Sequence, residues 1–277
     1  MSENQDITQI LKNALDASHK EARTQTPDAG TYLEQGYSGD ISTQADLNIE
    51  KATIESLKFS GISAQIISEE KGNLTINTTP SEYLITIDPL DGSSNFSHGK
   101  GLMPYATTIA IFNTTENPLF KNIICAGTIE HTKNNLWLAE LGKGATLNNT
   151  PCKPSTQTTI NPKGKYITDF FYETNWKTFA KLIENKQKIN INDYGCAALH
   201  YAMLASAHID AMMSASQKAH ELAAGYLMAK ESGAILTDLE GNPLDNTGYD
   251  FNKKYPVIGA CTKALHAEIL ETITHKQ

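Results

Sequence analysis

The amino-acid sequence predicts a layered structure of α-helices and β-strands. Three observations predict it. Apolar residues recur at helical spacing in two stretches within the first sixty residues. The period then changes, and short runs of β character dominate residues 64–140. From residue 166 onward, strand-like and helix-like stretches alternate.

The elements follow in order. Ile7, Ile10, Leu11, Ala14 and Leu15 define a first helix that ends before Pro27. Residues 36–42 read as a polar turn region. Leu47, Ile49, Ile54 and Leu57 lie among charges and predict a second amphipathic helix over 46–59, stopped by Gly61. Strands are predicted over 64–68, 83–87, 105–112, 121–130 and 135–140. Residues 142–150 read as a turn, a short strand and a second turn. The stretch 151–162 is rich in Pro, Thr and Ser and marks a boundary between halves, 1–150 and 151–277. Beyond it, strands over 166–171, 188–193, 209–214, 235–237 and 257–261 alternate with helices over 176–185, 196–208, 219–232 and 263–273. No internal repeat or low-complexity segment interrupts the pattern.

Composition narrows the function. The chain has 277 residues, 40% hydrophobic and 19% charged, which suits a globular core. Its formal net charge of −8 argues against a nucleic-acid polymer or an anionic membrane as partner. An anionic substrate stays open, because a bound cation reverses the local field. No apolar stretch approaches the roughly 20 residues that span a bilayer. The polar N-terminus lacks the features of a secretory signal, so a cytoplasmic location is expected. Cys125, Cys152, Cys196 and Cys261 lie far apart and read as buried free thiols. The N-x-S/T sequences at Asn73, Asn77, Asn95 and Asn113 are then chance matches.

One segment carries chemistry: Thr86-Ile87-Asp88-Pro89-Leu90-Asp91-Gly92-Ser93-Ser94-Asn95-Phe96. Asp88 and Asp91 follow an apolar strand, close enough to share hard cations, and magnesium prefers oxygen ligands. Gly92 lets the backbone approach a ligand. A helix beginning near Ser93 would point free N–H groups at an anion. By itself, D-P-L-D-G is also an ordinary turn sequence. Two further acidic features accompany it. Ser68-Glu69-Glu70-Lys71-Gly72 follows another short apolar strand, and Asp40 to Asp46, with Thr43 between them, opens the second helix. Helix N-capping is the plain role for Thr43 or Asp46.

Together these residues resemble the inositol monophosphatase family, within a superfamily that includes fructose-1,6-bisphosphatases and bisphosphate nucleotidases. The D-P-[IL]-D-G-[ST]-x-N-F signature stands at Asp88 to Phe96. The G/S-E-E element stands at Ser68-Glu69-Glu70, and D-x-x-T-x-x-D at Asp40 to Asp46. The G-x-G-A-x-x-N hairpin stands at Gly142 to Asn148, and the G-S-A-A-L motif at Gly195-Cys196-Ala197-Ala198-Leu199. The second signature, W-D-x-A-A-G, becomes His220-Glu221-Leu222-Ala223-Ala224-Gly225. The matches run through nearly the whole chain in the family's order.

The resemblance implies an α/β/α/β/α sandwich with the site between the halves, and a homodimer. It implies a phosphomonoesterase acting on a small-molecule phosphate, inositol-1-phosphate first. It implies two or three Mg2+ ions held by Glu69, Asp88, Asp91, Glu221 and the Leu90 carbonyl. Asp91, Gly92, Ser93, Ser94 and Glu221 would contact substrate. Glu69, Asp46 and Ser93 would serve catalysis by orienting an attacking water for direct, in-line displacement. Three positions depart from the pattern. Glu221 stands where the family has aspartate, and His220 where it has tryptophan. The family often has a lysine shortly before the Asp40 element, where Gln35, Gly36 and Tyr37 lie here. His220 reads as a neutral core or surface histidine. Lys218 reads either as an exposed lysine without a role or as a contact for a second phosphate. Other readings are a fructose-1,6-bisphosphatase or dual enzyme, a 3'-phosphoadenosine 5'-phosphate phosphatase, and a non-catalytic relative that binds cation and phosphate.

Overall fold

The computed structural model describes residues 6–77, 80–99, 102–168, 173–185 and 189–274. The N-terminal half runs α1 (Ile7–Ala22), β1 (Tyr32–Gln35), β2 (Ile41–Thr43), α2 (Gln44–Phe59), β3 (Ala64–Ser68), β4 (Gly72–Ile76), β5 (Tyr83–Asp91), α3 (Ser93–Gly99) and β6 (Ala106–Phe112). It continues through β7 (Ile123–Glu130), β8 (Asn135–Glu140), β9 (Gly144–Leu147) and β10 (Thr150–Pro151). The rest is β11 (Tyr166–Thr168), α4 (Glu173–Asn185), β12 (Ile191–Asn192), α5 (Ala197–Ala205), β13 (Ala211–Lys218), α6 (Ala219–Ser232), β14 (Ile235–Thr237), β15 (Lys254–Ala260) and α7 (Lys263–Thr274).

Two large sheets and three helical layers result, beside the two-stranded β1–β2 sheet. An eight-stranded sheet has the order β10-β9-β8-β7-β6-β5-β3-β4, antiparallel except where β3 runs parallel to β5. A five-stranded sheet has the order β12-β11-β13-β15-β14 and mixes parallel and antiparallel pairs. Helices α1 and α2 cover one face of the large sheet, and α5 and α6 fill the space between the sheets. Helices α4 and α7 cover the far face of the small sheet. The expected α/β/α/β/α sandwich is therefore present. Helix α6 has apolar residues on every side, including Leu222, Ala223, Tyr226, Leu227 and Met228, as its place between two sheets requires.

Several elements differ from the sequence-based expectation. The polar stretch over 36–42 ends in β2, which pairs with β1 as a hairpin. Strand β4 was not anticipated. Strand β13 runs four residues past the expected end at Ser214, through a register shift between Ser214 and Gln217, and delivers Gln217 and Lys218 to the site. Strand β11 occupies 166–168, with the remainder of the expected 166–171 strand outside the described residues. Strand β12 occupies 191–192, and residue 188, where that strand was expected to begin, also lies outside them. The four cysteines are free and buried, as expected. Among the described residues, no helix is long and apolar enough to cross a membrane.

Candidate active site

A cleft of about 690 Å3 opens where the end of β5, the start of α3, the hairpin β1–β2, the start of α5 and the junction of β13 with α6 meet. The acidic residues singled out from the sequence converge here. Residues three apart on a regular strand point to opposite faces. Asp88 and Asp91 escape this because Asp88 pairs with Thr108 and Asp91 with Ala106, so one extra residue sits on β5. That bulge restores a common side for both carboxylates. Asp88 Oδ1 accepts from the Leu90 N–H at 3.0 Å, and Thr107 Oγ1 donates to the Pro89 carbonyl at 2.7 Å, which fixes the kinked segment.

Gly92 follows with φ +88°, in the left-handed region. A Cβ there would lie 3.1 Å from the Gly195 carbonyl and 3.2 Å from that of Pro104. Both the backbone angle and the crowding therefore require glycine. Helix α3 starts at Ser93, as the conditional reading required, and Gly92, Ser93 and Ser94 line the cleft.

Glu69 stands just beyond β3, pinned by its N–H to the Ile87 carbonyl of β5 at 3.1 Å. Ser38, in the β1–β2 loop, donates its N–H to the Glu69 carbonyl at 2.9 Å and its hydroxyl to Glu69 Oε1 at 3.2 Å. Asp46 lies in the first turn of α2. It forms a reciprocal capping box with Thr43, whose N–H donates to Asp46 Oδ2 at 2.7 Å. The other oxygen, Oδ1, accepts from Ser93 Oγ at 2.8 Å. Ser93 Oγ also lies 2.8 Å from the Leu90 carbonyl, so its single proton alternates between the two acceptors. Capping and site functions thus coexist in one aspartate. Asp46 sits behind Ser93 rather than in the cleft wall.

Glu221, near the start of α6, accepts from Gln217 Nε2. Asp88, Asp91 and Glu221 each offer an oxygen within 4.8 Å of the others, and so do Glu69, Asp88 and His220 with one ligand atom each. Both groups are buried and share Asp88.

Residues 3–277 match the profile of the inositol monophosphatase family. The chain belongs to the inositol monophosphatase family. The protein is accordingly a phosphoric monoester hydrolase, in a metal-dependent family that acts on small-molecule phosphates. It is 26% identical over 255 residues to the fructose-1,6-bisphosphatase/inositol-1-monophosphatase of Methanothermobacter thermautotrophicus, covering 90% of this chain and 89% of that one. It is 29% identical over 223 residues to the Nus factor SuhB of Escherichia coli, covering 78% of each chain. The inositol monophosphatase of Anabaena (Nostoc) sp. PCC 7120 shares the fold, with a TM-score of 0.75 at 22% identity over 97% of this chain and 95% of that one.

The electrostatics of the cleft suit it to cations. Burial, then the charges of Glu69, Asp91 and Glu221, push the Asp88 carboxyl well above its ordinary range. Burial likewise raises Asp91 to about 6, against the stabilising Ala198 N–H at 2.6 Å from its Oδ2. Crowded buried carboxylates that take up protons when alone are suited to divalent cations, which supply the missing positive charge through oxygen ligands. Burial opposes ionisation of Glu69 too, but the Lys218 ammonium and His220 outweigh it and hold Glu69 near 2. Burial raises Asp46 to about 6 despite the bonds from Thr43 and Ser93. Glu70 rises to about 8, chiefly by burial.

Three site residues were missed or underrated. Lys218 is only 19% exposed, with Nζ 2.5 Å from Asp40 Oδ2 and 2.8 Å from Glu69 Oε1. The reading as an exposed lysine without a role is corrected. The strand's extra length places it there, and a short polar run gave no signal of that. Asp40 was quoted only as a motif member, and here it anchors this lysine. His220 is buried beside Glu69 and Asp88, which agrees with its reading as a core histidine and excludes the surface alternative.

Proposed function

We propose that this protein hydrolyses a phosphate monoester of a small polyol or sugar, inositol-1-phosphate first, with Mg2+ as the working cation. The observation that carries the reading is the convergence of Glu69, Asp88, Asp91 and Glu221 on one cleft beside the Gly92–Ser94 backbone. Glu69, Asp88, Asp91, Glu221 and the Leu90 carbonyl would hold two or three cations. Bound cations neutralise the phosphate and lower the pKa of water. The chain's own residues do the rest. Gly92 admits the phosphate close to the backbone, and the N–H groups opening α3 orient it. Ser93 orients the attacking water and passes its proton toward Asp46. With a carboxyl near 6, Asp46 is matched to accept a proton near neutral pH, whereas Glu69, near 2, serves as a ligand. Attack is direct and in line, without a phospho-aspartate at Asp88 or Asp91.

A fructose-1,6-bisphosphatase or dual activity is the second reading. The Lys218 ammonium in the cleft wall favours it, because a second phosphate requires a cationic contact. The homodimer implied by the family belongs to the same proposal and is read from the mass in solution. Phosphate release decides between substrates. The panel holds inositol-1-phosphate, fructose-1,6-bisphosphate, 3'-phosphoadenosine 5'-phosphate and histidinol phosphate. Preferred turnover of inositol-1-phosphate with Mg2+ is expected. Turnover of none by folded, metal-loaded protein would contradict the reading and favour a non-catalytic relative.

A further inference from the structure

We infer that His220 is a nitrogen ligand in a second cation position, formed with Glu69 and Asp88, that selects Mn2+, Co2+ or Zn2+ over Mg2+. The inference rests on the cation-dependent reading of this site. It starts from an unsatisfied group. His220 is 2% exposed, and neither ring nitrogen has a hydrogen-bond partner among the described residues. Burying a polar group without a partner costs about 1–3 kcal/mol, so a structure retains one where something else satisfies it. The ring lies against Phe251, with centroids 5.0 Å apart, which supplies packing but no acceptor.

The geometry supplies the missing partner. His220 Nε2 lies 3.8 Å from Glu69 Oε1 and 3.8 Å from Asp88 Oδ2. These distances are too long for hydrogen bonds. Donors held about 2.1 Å from one ion stand roughly 3.0–3.5 Å apart at octahedral or tetrahedral angles. A cation at the centre closes the triangle with shifts of a few tenths of an ångström.

Charge and donor type then set the choice of metal. Lys218 Nζ already sits 2.8 Å from Glu69 Oε1 and 2.5 Å from Asp40 Oδ2, so the ammonium competes with a cation for Glu69 and offsets part of the carboxylate charge at this position. A hard ion held chiefly by charge gains little there. Imidazole suits Mn2+, Co2+ and Zn2+ better than Mg2+, because these ions accept electron density from a neutral nitrogen. The neighbouring position of Asp88, Asp91 and Glu221 offers only oxygen and keeps its preference for Mg2+. The two positions share Asp88 and differ in hardness.

The test compares chelator-stripped full-length wild type with His220→Phe by calorimetric titration of Mg2+ and Mn2+ and by visible absorption with Co2+. In wild type, two classes of Mn2+ site and a Co2+ band from a mixed nitrogen and oxygen set are expected. In His220→Phe, affinity for one Mn2+ class falls at least about tenfold, the band is lost, and Mg2+ affinity stays within about twofold. Equal Mn2+ and Co2+ binding in the two proteins overturns the inference while leaving the phosphatase reading intact. Absence of any divalent binding to wild type overturns both. If the variant does not fold, histidine ring-nitrogen resonances of the wild type decide: Zn2+ shifts one ring and Mg2+ shifts none. No ring responding to Zn2+ sinks the proposal.

Discussion

Asp46 illustrates how one side chain serves two purposes. Its Oδ2 closes the cap of α2, and its Oδ1 receives the Ser93 hydroxyl. Replacing it by Asn preserves the shape of the capping acceptor but removes the proton acceptor. For Asp46→Asn, kcat is expected to fall about 10²–10⁴-fold, with Mg2+ affinity changed less than about threefold. Stopped-assay kinetics beside calorimetry read the two quantities separately. Lys218→Met makes the opposite demand. Removing an ammonium that touches Glu69 frees a carboxylate for cations, so Mg2+ affinity rises on the order of tenfold. Unchanged affinity would mean that Lys218 does not compete for Glu69. Asp88 and Asp91 were legible in the sequence because their spacing and glycine partner are specific. Lys218 and His220 were not, because their roles arise from packing across α6 and β13, and neither residue type at those spacings marks a site.

Short elements carry much of the geometry. The register shift in β5 turns two aspartates to one side, and Gly92 then reverses the chain into α3. Gly92→Ala brings a left-handed penalty of about 1–2 kcal/mol, besides its contacts with two carbonyls. Denaturant unfolding of Gly92→Ala is expected to show at least that loss. Helix α2 depends on Thr43, and Thr43→Ala is expected to cost about 1 kcal/mol. The long helices were readable from apolar spacing, and the buried strands β3, β5, β6, β7 and β8 from continuous or alternating apolar runs. The hairpin β1–β2 was not. All four residues of β1 are exposed, so no alternating burial marks it. Strand β4 begins on Gly72 at φ +70° and carries Asn73, a composition that reads as a turn.

At the scale of the whole molecule, the boundary proposed at 151–162 separates two sheets but not two independent cores. One apolar cluster includes Leu84, Ala126 and Trp137 together with Tyr201, Leu222, Met228 and Ile258. Fragments 1–150 and 151–277 are therefore expected to be unfolded when expressed apart, as read by circular dichroism and proteolysis. The site is also a stability switch. Glu70 near 8, with Asp46 and Asp91 near 6, binds protons in the folded chain that the unfolded chain, with carboxyls near 4, does not. Between pH 8 and 6.5 the folded state thus binds more protons, and stability of the metal-free protein rises as pH falls. Below about 6.5 an opposing contribution enters. His131 near 3, and His200 and His220 near 4, stay neutral in the fold, while the unfolded chain protonates them. Thermal unfolding of chelated protein should give a higher Tm at pH 6.5 than at pH 8. A chelated Tm that falls over this window would contradict the account.

The central claim is that the carboxylates around Asp88 form a cation-dependent hydrolytic centre. The most direct measurement is phosphate release from inositol-1-phosphate by chelator-stripped protein, with Mg2+ and then Mn2+ added back, in wild type and in Asp88→Asn. The account predicts no release without a divalent cation, saturable recovery in wild type, and a loss of at least about 10²-fold in the folded variant. Turnover that persists in chelator, or an Asp88→Asn protein as active as wild type, would contradict it.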